Sequence, residues 1–400
     1  MKRRVFLQAA AGGMAGLWAA SPSSIGLSAG TSRPVRILDP FPGAVLSHRH
    51  GVQTADRLTI RVTGEAPAED RVSVNGVPAK RQGREFDAEV PLTDHETDLV
   101  AVAEGRSGSQ QDKVRVVWDR YSEPRYRFAI DDNSFFLRDI ARKNYRSLFD
   151  CFYLKILRDL HEKYGAKFVL NIYYAAADDA KFVTDSDFRL PQFPDRYKGE
   201  WRDNAHWLKL AFHAYANMPG RPYQDAPPEK LLADMRLVDG EIRRFAGEET
   251  YTVTTCIHFG MMRPTTFSPL YRYGVRVLSS DFWYRNGKWD INCELPDDVC
   301  AYIASHEAWK DFQSGLVFSM VDIVCNSVPV DRVAPTLERL AKNPNQAEIM
   351  DLFTHEQYFW PFYFHHIPDH AQRVEAAIRW VTEHGYKPVF FHEGFLGGRV

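Results

Sequence analysis

Two adjacent carboxylates, Asp131 and Asp132, follow the apolar run Arg127-Phe-Ala-Ile130. Carboxylates so placed do not both ionise cheaply without a cation. One is suited to hold a metal while the other accepts a proton. The structural alternative is a helix cap, with Asp132 or Ser134 starting a helix near Phe135. That accounts for one carboxylate and leaves the other. Polar groups end later apolar runs as well: Asn171 with Tyr173-Tyr174, His213, His258, Asp281, His355-Glu356-Gln357 and His392-Glu393. Of the 14 histidines, four close such runs. One histidine there reads most simply as a satisfied structural group. Four beside carboxylates point to a metal or acid–base site.

These run ends share one surface only if the runs are parallel strands joined by helices. Candidate strands are Tyr126–Ile130, Lys167–Tyr173, Leu208–Phe212, Tyr251–Ile257, Val275–Leu278, Leu316–Val324, Ala347–Phe353 and Pro388–Phe391. Leu316–Val324 also fits a helix. Helical spacing of apolar residues marks Tyr153–Lys163, Pro228–Phe245, Asp331–Lys342 and Asp369–His384. Seven or eight such units within 125–400 predict an α/β fold, a deformed, closed (β/α)7-8 barrel. In such a barrel the strand ends converge on one active face. No Gly-x-Gly-x-x-Gly follows a strand, which argues against a dinucleotide fold.

Residues 33–120 differ. Short alternating runs recur at roughly ten-residue spacing, and Asn75-Gly76 suits a tight hairpin. This predicts a small β-sandwich, and Val74-Asn75-Gly76 with Phe86 and Val90 resembles immunoglobulin-like modules attached to carbohydrate enzymes. It holds no catalytic cluster and reads as a spacer or platform. Residues 1–30 open Met1-Lys-Arg-Arg-Val-Phe-Leu-Gln8 and continue as a weakly apolar, glycine-broken run. That resembles a twin-arginine export signal and predicts a periplasmic or secreted protein.

Composition is ordinary for a globular chain of 400 residues, with 44% hydrophobic and 26% charged, which excludes a disordered chain. No run reaches the ~18 apolar residues of a membrane span. A net charge of −2 offers no electrostatic footprint for nucleic acid. Five cysteines without a C-x-x-C spacing form no disulfide framework; at most Cys293 and Cys300 pair.

An apolar strand ending in Asp-Asp, with a later strand ending in His, resembles the polysaccharide deacetylase (NodB-homology) superfamily. The likeness covers about 125–400. It is similar to a bacterial branch with runs like Asp131-Asp-Asn-Ser-Phe-Phe-Leu-Arg138, Trp207-Leu-Lys-Leu-Ala-Phe-His-Ala214 and His355-Glu-Gln-Tyr-Phe-Trp360. The resemblance implies a strained barrel that removes acetyl groups from a polysaccharide, using a divalent metal, usually zinc. It implies Asp131 as general base, and Asp132 and His213 as metal ligands. The family's second histidine, four residues on, is Asn217 here. His258, at the next strand end, is the candidate for the missing nitrogen. The family's Arg-x-Pro-aromatic segment is matched only loosely by Arg221-Pro222-Tyr223. Its late catalytic histidine is His355 or His392.

Around these positions Glu356 and Glu393 remain as further acids. A glycoside hydrolase on the same scaffold would pair Asp131 with one of them and need no metal. Glu356 equally suits a partner that orients a histidine. Trp207, Tyr223 and Trp360, with His392 and Glu393, are candidate substrate contacts. Core packing explains most aromatic residues of this kind. A non-catalytic glycan-binding protein is the third reading, favoured by Asn217.

Overall fold

A computed structural model describes residues 34–106, 108–176 and 188–393. The expected export signal lies outside the described residues. Residues 34–118 form two five-stranded sheets. In the first, Leu58–Glu65 pairs antiparallel with Arg36–Asp39 and Glu85–Leu92. In the second, Glu96–Gly105 lies between Gly108–Trp118 and Arg71–Val74. Alternate residues of both sheets, such as Ile60, Val62, Phe86, Leu99 and Val116, share one buried core.

Beyond residue 124 the parallel strands begin. They are β1 (Arg125–Asn133), β2 (Phe168–Tyr173), β3 (Leu208–Ala214), β4 (Val277–Ser280), β5 (Val317–Met320), β6 (Ile323–Val324) and β7 (Ile349–His355). Between and after them run α1 (Phe135–Lys143), α2 (Phe152–Tyr164), α3 (Pro228–Phe245), α4 (Asp297–His306), α5 (Val330–Ala341) and α6 (His370–Glu383). Prolines with φ near −60° stand at the N-caps of α3, α4 and α5. There the fixed φ suits helix entry and the missing N–H costs nothing. Gly165 ends α2 in the left-handed region, at φ 72°.

One sheet has the order β3-β2-β1-β7-β6, all parallel. A second joins β4 and β5 in parallel, with Ala308–Lys310 antiparallel on β5. The closed barrel expected from the sequence is therefore interrupted. Tyr251–Ile257, expected as a strand, makes a single bridge, Tyr251 to Leu210. Leu316–Val324 splits into β5 and β6, because the Val321 and Asp322 amides turn aside to the Ser280 and Asp351 carbonyls. Of Pro388–Phe391, only Pro388 lies in a strand; with Lys387 it pairs with the first residues of β1, and the Val389 amide donates to the Tyr126 carbonyl at 3.0 Å.

β1 is buried on both faces, as a central parallel strand must be. Tyr126, Phe128 and Ile130 join the large core that also holds apolar residues of α1, α2 and α6. Ala129 joins Val169, Ala211, Val277, Val317 and Phe353 in a second cluster, these six residues coming from six different strands. On the same side of β1 as Ala129, Arg127 forks onto Asp351 of β7 through Nε and Nη2, two bonds of 2.5 Å, and the same Nη2 also donates to Ser319 Oγ at 2.6 Å. Both partners are about 1% exposed. Removing one would leave a buried charge, at a cost of about 3–5 kcal/mol.

The sandwich is docked on the strand domain by specific groups. Glu348 accepts from Ser122 Oγ at 2.8 Å and pairs with Arg49. Trp309 Nε1 donates to the Pro42 carbonyl at 2.7 Å, and Phe41 stacks on Tyr302 at 4.7 Å.

Candidate metal centre

Period-two alternation sends only one of two successive strand residues to a given face. Asp131 and Asp132 escape that rule through the backbone. Asp132 has φ 61°, and the register of β1 on β2 shifts between Ile130 and Asn133. Aspartate tolerates this left-handed geometry better than most residues. Both carboxyls consequently reach His213 at the end of β3. Asp132 Oδ1 lies 3.1 Å from His213 Nε2, and Asp131 Oδ2 lies 3.5 Å from Nδ1.

His258 completes the group. Its Nδ1 is 2.9 Å from His213 Nε2 and 3.7 Å from Asp132 Oδ1. One ligand atom from each of Asp132, His213 and His258 lies within 4.8 Å of the others. Metal–ligand bonds of about 2.0–2.2 Å place neighbouring ligand atoms roughly 3–3.5 Å apart. The observed spacings fit a divalent cation. So does the donor set, because two imidazole nitrogens 2.9 Å apart with a carboxylate oxygen need a shared proton or a shared cation.

Surrounding side chains hold the three in place. Gln357 Nε2 donates to Asp132 Oδ2 at 2.8 Å, and Tyr173 Oη donates to Asp132 Oδ1. Asn171 Nδ2 donates to both Asp131 Oδ1 and Thr255 Oγ1 at 2.6 Å. His258 Nε2 meets the Asn217 backbone carbonyl at 3.1 Å. Asn217 thus touches His258 through its main chain, while its side-chain oxygen lies 3.1 Å from Tyr173 Oη.

Electrostatics divide the two neighbours. Burial raises the pKa of Asp131, against the lowering pull of His213, His355 and Asn171. Burial also opposes ionisation of Asp132, yet the His213 hydrogen bond and the charges of His355, His213 and His258 hold it below the usual range. Burial, with His213 alongside, holds His258 down to about 3. A neutral ring with a free lone pair is what a metal ligand requires. Burial works against protonation of His213, but Asp131 and Asp132 outweigh it and raise its pKa.

These groups line a cavity of about 290 Å³ together with Asp281, Trp283, Asn326, His355 and Tyr358. His355 is the register partner of Asp131 on the adjacent strand, and its Nδ1 sits 3.0 Å from Asn326 Oδ1.

Other candidates fall elsewhere. Glu356, expected as a catalytic acid, is fully buried and serves as the cap of α1. Its oxygens accept the Ser134, Phe135 and Phe136 amides at 2.6, 2.9 and 2.6 Å, and Trp360 Nε1 at 3.0 Å. Ser134, expected as a cap, makes no side-chain cap bond. Trp360 is therefore a buried anchor and not a sugar contact. Trp207 is buried before β3, stacked on His161 at 4.7 Å, at the strand entry and not at its end. Tyr223 is buried with its hydroxyl on Asp234 at 2.9 Å. His392 and Glu393 lie at the opposite edge. Glu393 pairs with Lys167 just before β2, because the last segment meets only the start of β1. Arg221 pairs with Asp290 at 2.7 Å. All five cysteines are buried free thiols.

Asn171, Tyr173, Asp281 and Gln357, marked in the sequence as polar groups at run ends but given no role there, belong to the site, and so does Asn326, which the sequence reading did not name. The signal for Asn171 and Tyr173 is their i, i+2 spacing on β2, which places both on the face that meets Asp131 and Asp132.

No family model and no curated protein matches the chain. Among solved structures it is similar to a modular endo-β-1,4-mannanase from Cellulomonas fimi, at 18% identity over 22% of this chain and 18% of that one, with a TM-score of 0.16. It thus spans less than a fifth of the mannanase. It is similar to a CE4 family pseudoenzyme from Bacillus anthracis, at 10% identity over 70% of this chain and 67% of that one, TM-score 0.31. A family 4 acetyl xylan esterase from Clostridium thermocellum, in complex with a cobalt ion, aligns at 12% identity over 68% and 89%, TM-score 0.35.

Proposed function

We propose that this chain is a metal-dependent hydrolase that removes acetyl groups from a polysaccharide. The observation that carries the reading is the convergence of Asp132, His213 and His258 beside the buried Asp131 in one cavity. The resemblance of the Asp131-Asp132 and His213 runs to polysaccharide deacetylases supplies the substrate class. A divalent cation held by Asp132, His213 and His258, zinc in the first instance, would polarise the acetyl carbonyl and acidify water.

Asp131 takes the proton of the attacking water. Its raised pKa makes it a stronger base than an ordinary carboxylate. Asn171 fixes the orientation of that carboxyl. His355, in register with Asp131, gives a proton to the leaving amine or alcohol as the acetyl C–N or C–O bond breaks and acetate departs. Trp283 and Tyr358, which also line the cavity, offer faces for a sugar ring. The basic run at residues 2–4 supports export by the twin-arginine route, which carries folded, metal-loaded proteins.

The glycoside hydrolase reading loses both partners named for Asp131, since Glu356 caps α1 and Glu393 lies at the far edge. The test is acetate release from acetylated xylan and chitin oligomers, with and without chelator. Release that stops on chelation and returns with zinc, at unchanged chain length, is the expected outcome. New reducing ends that persist in chelator, with no acetate, would overturn the reading.

A further inference from the structure

Asp281 follows β4 and lines the same cavity as Asp131 and the three candidate ligands. Its position is set by main chain. Ser280 Oγ donates to the Ile291 carbonyl at 2.6 Å, the Phe282 amide donates to that carbonyl at 3.1 Å, and the Val321 amide donates to the Ser280 carbonyl at 3.0 Å. Gly260 seats the turn at φ +56°. A Cβ there would stand 2.3 Å from Ser280 Oγ and 2.8 Å from Ile291 Cγ2, so this approach requires glycine.

The Asp281 carboxyl itself is left over. Among the described residues it has no hydrogen-bond or ion-pair partner, whereas Asp131 and Asp132 are both engaged. Burial and the charge of Asp131 push its pKa up to about 7, with Arg285 opposing. The described cavity wall contains no lysine or arginine. The carboxyl is half-buried in this wall, and its oxygens are acceptors within reach of an N–H or O–H of a ligand in the cavity. Trp283 and Phe259, in the same wall, offer apolar ring faces beside it.

We propose that Asp281 accepts an N–H or O–H donor of the bound sugar, and that it selects neutral and amino sugars over uronic acids. The proposal rests on the carbohydrate reading above, but concerns binding rather than turnover. With a divalent cation offset by Asp131 and Asp132, Asp281 is the uncompensated acid of this wall, and among the described lining residues no lysine or arginine receives a uronate. A sugar amine, which deacetylation of an N-acetyl group would leave, finds two carboxyls.

The test is calorimetric titration of the full chain, incubated with zinc, against hexamers of N-acetylglucosamine, glucosamine and galacturonic acid. The wild type should bind the first two at least tenfold more tightly than the third. Asp281→Asn keeps shape and an acceptor, so it should hold the N-acetylglucosamine hexamer within about threefold while the discrimination against galacturonate shrinks. Asp281→Ala should weaken both amino-sugar hexamers about tenfold. Equal affinities in the wild type, no amino-sugar binding, or a preference unchanged in both variants would each overturn the proposal. Acetate release from the N-acetylglucosamine hexamer, read on the same samples, separates the two ideas. Asp281-dependent selectivity without acetate rejects deacetylation and keeps this inference. Acetate release with no dependence of binding on Asp281 does the reverse.

Discussion

Glu356 Oε2 accepts the backbone N–H of Ser134 at 2.6 Å, so the residue after His355 ties the end of β7 to the helix that follows Asp131 and Asp132. The amides of Phe135 and Phe136 complete the bond set. Three of the unpaired donors at the start of α1 are thereby satisfied by one carboxyl. Burial raises its pKa to about 7, against the pull of those same amides.

Replacing Glu356 by Ala should therefore act on stability first. Three buried amides and the Trp360 N–H lose their acceptor, at roughly 1–3 kcal/mol for each buried group left without a partner. The expected loss is about 4 kcal/mol or more in urea unfolding, with metal content per folded molecule retained. Full stability with abolished acetate release would return Glu356 to the list of catalytic acids.

Asp131 and Asp132 should separate in metal analysis. Asp132→Ala removes one of three ligands and should leave the purified protein with little bound zinc. Asp131→Asn should keep near-stoichiometric zinc and lower turnover by roughly 10²–10⁴-fold, the contribution typical of a positioned base. Equal loss of metal in the two variants would reject this division of labour.

His370 gives the fold an acid-sensitive point. It is about 1% exposed, with Nε2 at 2.9 Å from Thr354 Oγ1. Burial, with Arg373 and His355 adding to it, holds its pKa down to about 3. Above pH 6.5 the ring is neutral in folded and unfolded chains alike and the linkage vanishes. Below 6.5 only the unfolded chain takes the proton readily, so stability falls as pH drops from 6.5 towards 3. At 1.36 kcal/mol per pH unit, His370 alone should remove about 2 kcal/mol between pH 6.5 and 5. Urea unfolding at those two pH values should show a smaller difference in His370→Leu. An unchanged difference would place the acid sensitivity elsewhere.

Local chemistry was enough to locate several strands. The runs around Phe128, Val169 and Leu210 are strands in the structure because burial on both faces demands continuous apolar residues, and that demand is written in adjacent positions. The same logic exposed Asp131, Asp132, His213 and His258 as polar groups ending apolar runs. Long-range pairing decided the rest. Whether a run end reaches the shared face depends on which strand it pairs with and in what register. His392 and Glu393 end an apolar run like the others, yet that segment joins β1 only at its start, which leaves them at the opposite edge. Tyr251–Ile257 has strand composition but only one bridge. Trp207 and Trp360 read alike in a cleft or a core, since burial is a property of neighbours distant in sequence. The left-handed turn at Asp132, which lets two successive carboxyls meet one histidine, is held by contacts from β2, β3 and the segment after β7. Residues 41 to 225 positions away in the chain supply those contacts, so the geometry exists only once the strands have assembled.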